Sequence, residues 1–210
     1  MFLQKVHIPS EGVTLEGEIN RPEKFDEGSA VVLCHPHPLF GGDMYNNVIS
    51  ALFYALPEKR MLTLRFNFRG VGRSQGKYES GIGEKADVNA VIKYLMMTFP
   101  RVKEIIVAGY SFGAWVGLSA ASENKWADIL IAISPPITLF NFDYFRNMKK
   151  PKFFVIGDSD EFIPLKDFMT FYEEIPSPKK YIIIRGAYHF FHGHESEIAK
   201  TITDLLYKQL

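Results

Sequence analysis

Two kinds of hydrophobic pattern predict β-strands in this chain. Residues 2–9 and 13–21 alternate polar with apolar side chains on either side of the turn Ser10-Glu11-Gly12, which is typical of a hairpin with one exposed face. Later segments are continuous apolar runs, often β-branched, and such runs predict strands that are buried on both faces. These runs cover residues 30–34, 62–66, 104–108, 129–133, 152–156 and 181–184.

Helical patterns occupy the stretches between and after these runs. They cover residues 46–56, 84–98, 112–123, 164–175 and 195–210. This alternation of strand and helix predicts a mostly parallel sheet with helices on both faces. In such sheets ligands bind beyond the carboxyl ends of the strands, so we expect reactive side chains in the loops that follow strands.

A serine stands where one apolar run passes directly into a helical segment. Residues 105–115 read IIVAGYSFGAW and contain the pattern Gly109-x-Ser111-x-Gly113 at the junction. A serine on this sharp turn has a strained backbone that raises its hydroxyl above the sheet, while the two glycines let strand and helix approach closely. Ser111 is therefore the candidate nucleophile. The alternative is a tight turn with no chemical role.

A serine hydroxyl is a weak nucleophile near neutral pH and needs an imidazole as base and an acid that orients it. His189 follows the run at 181–184, and Asp158 and Asp160 both follow the run at 152–156. The order along the chain is thus serine, acid, histidine. His192 and His194 come just after His189 in a polar turn, and their spacing does not fit a zinc site.

These motifs resemble the α/β-hydrolase superfamily, especially its small dienelactone-hydrolase-like members that lack a large lid. Residues 109–113 match the nucleophile elbow, residues 157–164 (GDSDEFIP) match the acid loop, and residues 186–191 (GAYHFF) match the histidine loop. Residues 35–42 (HPHPLFGG) resemble the oxyanion-hole loop, and residues 67–76 resemble the turn after the fourth strand. The resemblance covers nearly the whole chain.

The resemblance implies a fold and a set of roles. The expected fold is an eight-stranded, mostly parallel sheet with helices on both faces, as one domain over residues 1–210 without a large cap. The implied catalytic residues are Ser111, Asp160 and His189, and Asp158 is expected to cap the loop or to bind backbone amides. Dienelactone hydrolases use cysteine as nucleophile, so Ser111 keeps acyl chemistry but argues against a dienelactone substrate.

Acyl transfer also requires donors for the oxyanion of the tetrahedral intermediate. The N–H of Phe112 is expected to supply one. In the loop after His35, Pro36 and Pro38 have no N–H, which leaves His37 and Leu39 open. The usual position in the family favours His37.

Other side chains at this edge have weaker claims. His35 and His37 share the spacing of metal ligands without a third ligand, so His35 is expected to brace the loop through hydrogen bonds. Arg69 is expected to clamp its own loop, with a substrate carboxylate as the alternative partner. Cys34 lies inside a predicted strand and is expected to be a core residue.

Several aromatic residues are expected near the site. Those assigned to substrate binding are Phe40, Tyr45, Tyr110 and Phe140, and further aromatic residues of the same predicted wall are Phe142, Tyr144 and Phe145. Only about 17 residues separate the sixth and seventh predicted strands, too few for a helical cap domain. The site is therefore expected to be open and suited to short or medium acyl groups.

Composition restricts the partners. Lys plus Arg number 24 and Asp plus Glu number 24, so no overall field attracts nucleic acid. No apolar run approaches the ~18 residues that would span a bilayer, and the lone Cys34 cannot form an internal disulfide, so we expect a cytoplasmic protein that does not bind membranes. We expect a monomer or homodimer that uses no cofactor and no metal.

The leading hypothesis is a serine hydrolase that cleaves small carboxylic esters through an acyl-enzyme intermediate. A thioesterase or peptidase using the same three residues is an alternative. A non-catalytic ligand-binding protein on the same fold is a second alternative, because fold alone does not establish activity.

Overall fold

A computed structural model describes residues 1–25 and 27–207, and in this part of the chain eight strands alternate with five α-helices. The strands are β1 (Phe2–Ser10), β2 (Val13–Arg21), β3 (Gly28–Cys34), β4 (Leu62–Phe66), β5 (Val102–Tyr110), β6 (Ala127–Ile133), β7 (Lys152–Gly157) and β8 (Lys179–Ile184). The helices are α1 (Asn47–Ala55), α2 (Ile82–Thr98), α3 (Phe112–Glu123), α4 (Leu165–Glu174) and α5 (Glu195–Tyr207). The predicted end of the last helix, residues 208–210, lies outside the described residues.

All eight strands form one sheet in the order β1-β2-β4-β3-β5-β6-β7-β8. Strand β2 pairs antiparallel with β1 and with β4, and the other neighbouring strands pair in parallel. The hairpin joins Ser10 to Val13 and continues to the pair Phe2 and Arg21. The predicted mostly parallel, eight-stranded sheet is confirmed.

The helices cover both faces because the central strands are apolar on both. Along β5, Ile105 and Val107 belong to the core beneath α2, α3 and α4, whereas Ile106, Ala108 and Tyr110 belong to the core beneath α1 and α5. Complete burial of one such aliphatic side chain stabilises the fold by about 1.5–3 kcal/mol. This two-sided burial explains why these strands appear in the sequence as continuous apolar runs.

The carboxyl edge of the parallel strands is not covered by a further domain in the described structure. The connection between β6 and β7 contains one short 3-10 helix, Asp143–Asn147. The loops after β3, β5, β7 and β8 meet at this edge, where the sequence predicted reactive residues. No helix among the described residues is both long and apolar enough to cross a membrane.

Candidate active site

Ser111 occupies a strained turn between β5 and α3. Its φ is 53° and its ψ is −117°, a conformation that costs a non-glycine residue energy. Its N–H donates to the carbonyl oxygen of Ile133 at 2.9 Å, which ties the turn to β6. A Cβ on Gly109 would lie 2.2 Å from the carbonyl oxygen of Gly113, so the strand and the helix touch through their backbones.

His189 lies between the serine and an acid. Its Nε2 is 3.1 Å from Ser111 Oγ, and its Nδ1 is 3.0 and 3.1 Å from the two carboxylate oxygens of Asp160. The Asp160 side chain is completely buried and the His189 side chain is 8% exposed. When Nδ1–H donates to the carboxylate, Nε2 is left free to accept the hydroxyl proton of Ser111.

The two aspartates of the acid loop have different environments. Asp160 faces His189 and its Oδ1 also accepts the N–H groups of Phe162 and Ile163 at 3.0 and 3.1 Å. Asp158 is exposed, and its Oδ1 accepts the N–H of Gly186 at 2.6 Å. The structure therefore brings Asp160 to the imidazole and leaves Asp158 to join the two loops.

The loop after β3 lies against the first turn of α3. The rings of His37 and Phe112 are 4.7 Å apart, and the N–H of Leu39 donates to His37 Nδ1 at 3.2 Å. Of the two open donors, Leu39 is thus already in use. In the part of the chain that the structure describes, no protein acceptor takes the N–H of His37 or Phe112.

The side chain of His37 has a role that the sequence did not indicate. Because Nδ1 accepts from Leu39, the neutral ring carries its proton on Nε2, which donates to the hydroxyl of Tyr78 at 3.3 Å. Burial lowers the pKa of His37, and the charge of Glu84 opposes that shift. The neutral His37 ring therefore helps to hold the loop that carries the His37 backbone N–H.

His35 braces the same loop from beneath. Its Nε2 accepts the N–H of Phe68 at 3.0 Å, so its Nδ1–H donates to the carbonyl oxygen of Pro36 at 2.7 Å. The ring is completely buried, and burial lowers its pKa to about 4 although the Pro36 bond opposes this. Both ring nitrogens are used within the protein, as expected for a bracing residue.

Acid should destabilise the fold partly through His35. The unfolded chain protonates this histidine below its ordinary pKa of 6.5, whereas the folded state keeps it neutral down to about 4. Its contribution is therefore complete above pH 6.5 and is lost as the pH falls towards 4, a change of about 3 kcal/mol. Urea unfolding between pH 4 and 7 should show a weaker pH dependence for His35→Gln than for wild type. The control His7→Gln, at an exposed position of β1, should follow wild type, and identical slopes for wild type and His35→Gln would contradict the expectation.

Arg69 and Cys34 are structural. The Arg69 guanidinium lies 2.6 Å from Glu79 in the loop after β4 and 2.9 Å from Asp87 in α2, so it joins its loop to that helix. This leaves the alternative of a substrate carboxylate without support. Cys34 is completely buried, and burial raises the pKa of its thiol.

The two later histidines lie near the surface. His194 Nδ1 is 3.0 Å from Glu197, and the exposed His192 is 4.0 Å from Glu195. Both belong to the polar turn that leads into α5.

The aromatic residues predicted near the site lie in different environments. Phe40 is 87% exposed beside His37, and Phe140 stacks on Trp115 at 4.2 Å between ring centroids and lies 6.1 Å from the ring of Phe112. Tyr45 is half-exposed but donates to Glu18 at 3.2 Å on the β2 side of the sheet. Trp115 was missed by sequence reasoning, although it lies one helical turn from the serine.

Three of the predicted aromatic residues are buried, and a fourth is partly buried with its hydroxyl bound to the backbone. Tyr110 is only 1% exposed and its hydroxyl donates to the carbonyl oxygen of His189 at 2.7 Å, so it supports the histidine from below instead of facing substrate. Phe142 and Phe145 are buried in the core beneath α4. The Tyr144 hydroxyl donates to the backbone of α3 at 3.2–3.3 Å. Chain position alone placed Phe142, Tyr144 and Phe145 in a loop without revealing which way they pack.

Other exposed apolar side chains lie beside His189 or on the neighbouring loops. Phe162 and Phe190 are about half-exposed and flank the His189 ring, with centroids 4.9 and 5.6 Å away. Thr138 Oγ1 donates to the carbonyl oxygen of Phe162, which joins the loop after β6 to the acid loop. Leu39, Leu139 and Tyr188 are between 64% and 66% exposed on neighbouring loops.

With the elbow serine at an uncapped carboxyl edge, the fold is that of an α/β hydrolase without a lid. A solved α/β serine hydrolase homologue from Coxiella burnetii is 37% identical, with a TM-score of 0.90 over 97% of each chain. A Xanthomonas campestris protein, described as an α/β serine hydrolase without lid, is 27% identical with a TM-score of 0.89, covering 99% of this chain and 95% of that one.

The sequence comparisons identify the family. The sequence model of the dienelactone hydrolase family matches residues 77–204. An uncharacterized protein of Rickettsia prowazekii, RP471, is 32% identical over 200 residues, which cover 91% of this chain and 84% of the relative. The chain belongs to the dienelactone hydrolase family, and it is a hydrolase.

Proposed function

We propose that this protein is a serine esterase that cleaves small carboxylic esters through an acyl-enzyme intermediate. The observation that carries the proposal is the continuous contact from Ser111 Oγ through the His189 ring to the buried Asp160 carboxylate, at 3.1 and 3.0 Å. Asp160 holds the Nδ1–H tautomer and stabilises the imidazolium that forms during the reaction.

The reaction proceeds in two halves. Ser111 Oγ attacks the acyl carbon while His189 Nε2 takes the hydroxyl proton, and the N–H groups of His37 and Phe112 donate to the oxyanion. The intermediate collapses, the ester C–O bond breaks, and the alcohol leaves with the proton from His189. Water then attacks the acyl-enzyme with His189 again acting as base, which releases the acid and free Ser111.

The surroundings of the site favour apolar, uncharged esters. The exposed apolar side chains of Phe40, Phe162 and Phe190 border the site and offer contact to an acyl or alkyl group. Asp160 and Glu161 both approach His189, and their negative charge disfavours a substrate that carries its own carboxylate. Because Arg69 is paired with Asp87, it does not offset that charge.

A fluorophosphonate probe tests the proposal directly. Wild-type protein should gain one phosphonyl group by intact-mass analysis and should hydrolyse chromogenic acetate or butyrate esters, because His189 activates Ser111. Ser111→Ala should do neither. A wild-type adduct that persists in Ser111→Ala, or ester turnover unaffected by that substitution, would place the nucleophile elsewhere. A thioester in the same substrate panel separates an esterase from a thioesterase.

A further inference from the structure

The main chain of His189 is held from two sides. The hydroxyl of Tyr110 donates to the His189 carbonyl oxygen at 2.7 Å, and Glu161 Oε2 accepts the His189 N–H at 3.1 Å. Tyr110 immediately precedes Ser111, and Glu161 immediately follows Asp160. The residues next to Ser111 and Asp160 in sequence therefore both hydrogen-bond to the backbone of His189.

We propose that Tyr110 and Glu161 are positioning residues that set the place of the His189 imidazole, and we call this pair the histidine clamp. The proposal rests on the proposed function, since it gives the clamp a role in proton transfer from Ser111. The clamp acts on the peptide groups of His189, whereas Asp160 acts on its ring. The clamp therefore fixes the position of the His189 ring, whereas the Asp160 carboxylate fixes its orientation.

The Tyr110 half of the clamp is rigid. Tyr110 is the last residue of β5, its ring is buried, and it packs 5.8 Å from the His189 ring and 6.1 Å from the Phe191 ring. A buried tyrosine hydroxyl needs a hydrogen-bond partner, and here that partner belongs to a residue 79 positions away in sequence. Strand β5, which ends just before Ser111, thus also fixes the position of the loop that carries His189.

The Glu161 half of the clamp is exposed. Asp160 binds the ring of His189 while Glu161 binds its N–H, so consecutive carboxylates of one loop hold one residue at two points. Glutamine presents a carbonyl oxygen at the same reach, so it preserves this hydrogen bond and removes only the charge. A role in positioning therefore predicts that Glu161→Gln retains what Glu161→Ala loses.

Tyr110→Phe tests the rigid half, because it removes one oxygen and keeps the ring. We expect kcat for a chromogenic ester and the rate of fluorophosphonate labelling to fall about tenfold with KM nearly unchanged, since a small displacement of a catalytic group is costly. The matched control is Tyr144→Phe, which also removes a hydroxyl that donates to backbone carbonyls but makes no contact with His189. It should retain wild-type kcat.

A readout that does not need activity completes the test. In ¹⁵N-histidine-labelled protein, the Nδ1–H proton bonded to Asp160 resonates far downfield, and its absence in His189→Gln assigns it. We expect this signal to broaden or shift in Tyr110→Phe and Glu161→Ala, and to persist in Glu161→Gln and Tyr144→Phe. A wild-type signal in both Tyr110→Phe and Glu161→Ala would overturn the clamp. Wild-type protein that is neither labelled nor active would overturn the proposed function instead, while the signal still decides on the clamp.

Discussion

His189→Ala should lower kcat for an acyl ester by about 10⁴-fold or more, and adding Ser111→Ala should lower it little further. The histidine and the serine act as a unit, because a serine without its base is not an effective nucleophile. The 3.1 Å contact between His189 Nε2 and Ser111 Oγ is the physical basis of this coupling. Steady-state kinetics on the single and double variants measure it.

The control for this prediction is His192→Ala, which removes an exposed imidazole three positions further along the same loop. It should keep wild-type kcat, which would show that the loop tolerates loss of a ring. Two results would refute the proton-transfer role of His189: retention of a tenth or more of kcat in His189→Ala, or independent, multiplicative losses in the double variant.

The sheet was predictable because its strands are buried on both faces. A segment such as residues 129–133 has no polar side to present, so composition alone marks it as a central parallel strand. The boundaries were less predictable. Strand β5 begins at Val102 and runs to Tyr110, because pairing with β3 and β6 extends it beyond its apolar centre.

The candidate site was predictable to the extent that it lies in loops directly after strands. Ser111, Asp160 and His189 were chosen from their motifs, and the structure places them within hydrogen-bond distance, while their catalytic roles stay a prediction. The choice of Asp160 over Asp158 depended on the family resemblance. The hydrogen bond from the Gly186 N–H to Asp158 depends on how the two loops pack and has no signal in the sequence.

The burial of Tyr110 could have been predicted from the alternation of side chains along β5. Side chains alternate along a strand, so Tyr110 shares the face of Ile106 and Ala108, beneath α1 and α5. It therefore points away from the face that carries α3. The contact of Glu161 with the His189 backbone had no such signal, because it depends on how two loops pack together.

Gly113→Ala should abolish most activity and destabilise the fold. A Cβ at Gly113 would lie 2.2 Å from the carbonyl oxygen of Cys34 and 2.6 Å from that of His35. These clashing atoms belong to the main chain and cannot rotate away as a side chain could. The first turn of α3 must therefore move away from the end of β3. Because Phe112 precedes Gly113 and His37 follows His35, this movement separates the two proposed oxyanion donors. We expect kcat to fall by about 100-fold, the order of effect expected for loss of one such donor, and the free energy of unfolding to fall by about 1–3 kcal/mol.

Gly117→Ala provides the matched control one helical turn later. There the added Cβ would lie 2.8 Å from Cys34 Sγ, which a second substitution removes, and 3.2 Å from Cys34 Cβ, a tighter contact that a shift of a few tenths of an ångström relieves. Gly117→Ala combined with Cys34→Ala should therefore regain most of the kcat and stability, helped by the preference of helices for alanine over glycine of about 1 kcal/mol. No side-chain substitution relieves Gly113→Ala in this way. Wild-type turnover and an unchanged thermal midpoint in Gly113→Ala would mean that the elbow tolerates a wider gap than its backbone contacts imply, and that the oxyanion donors are not positioned by this contact.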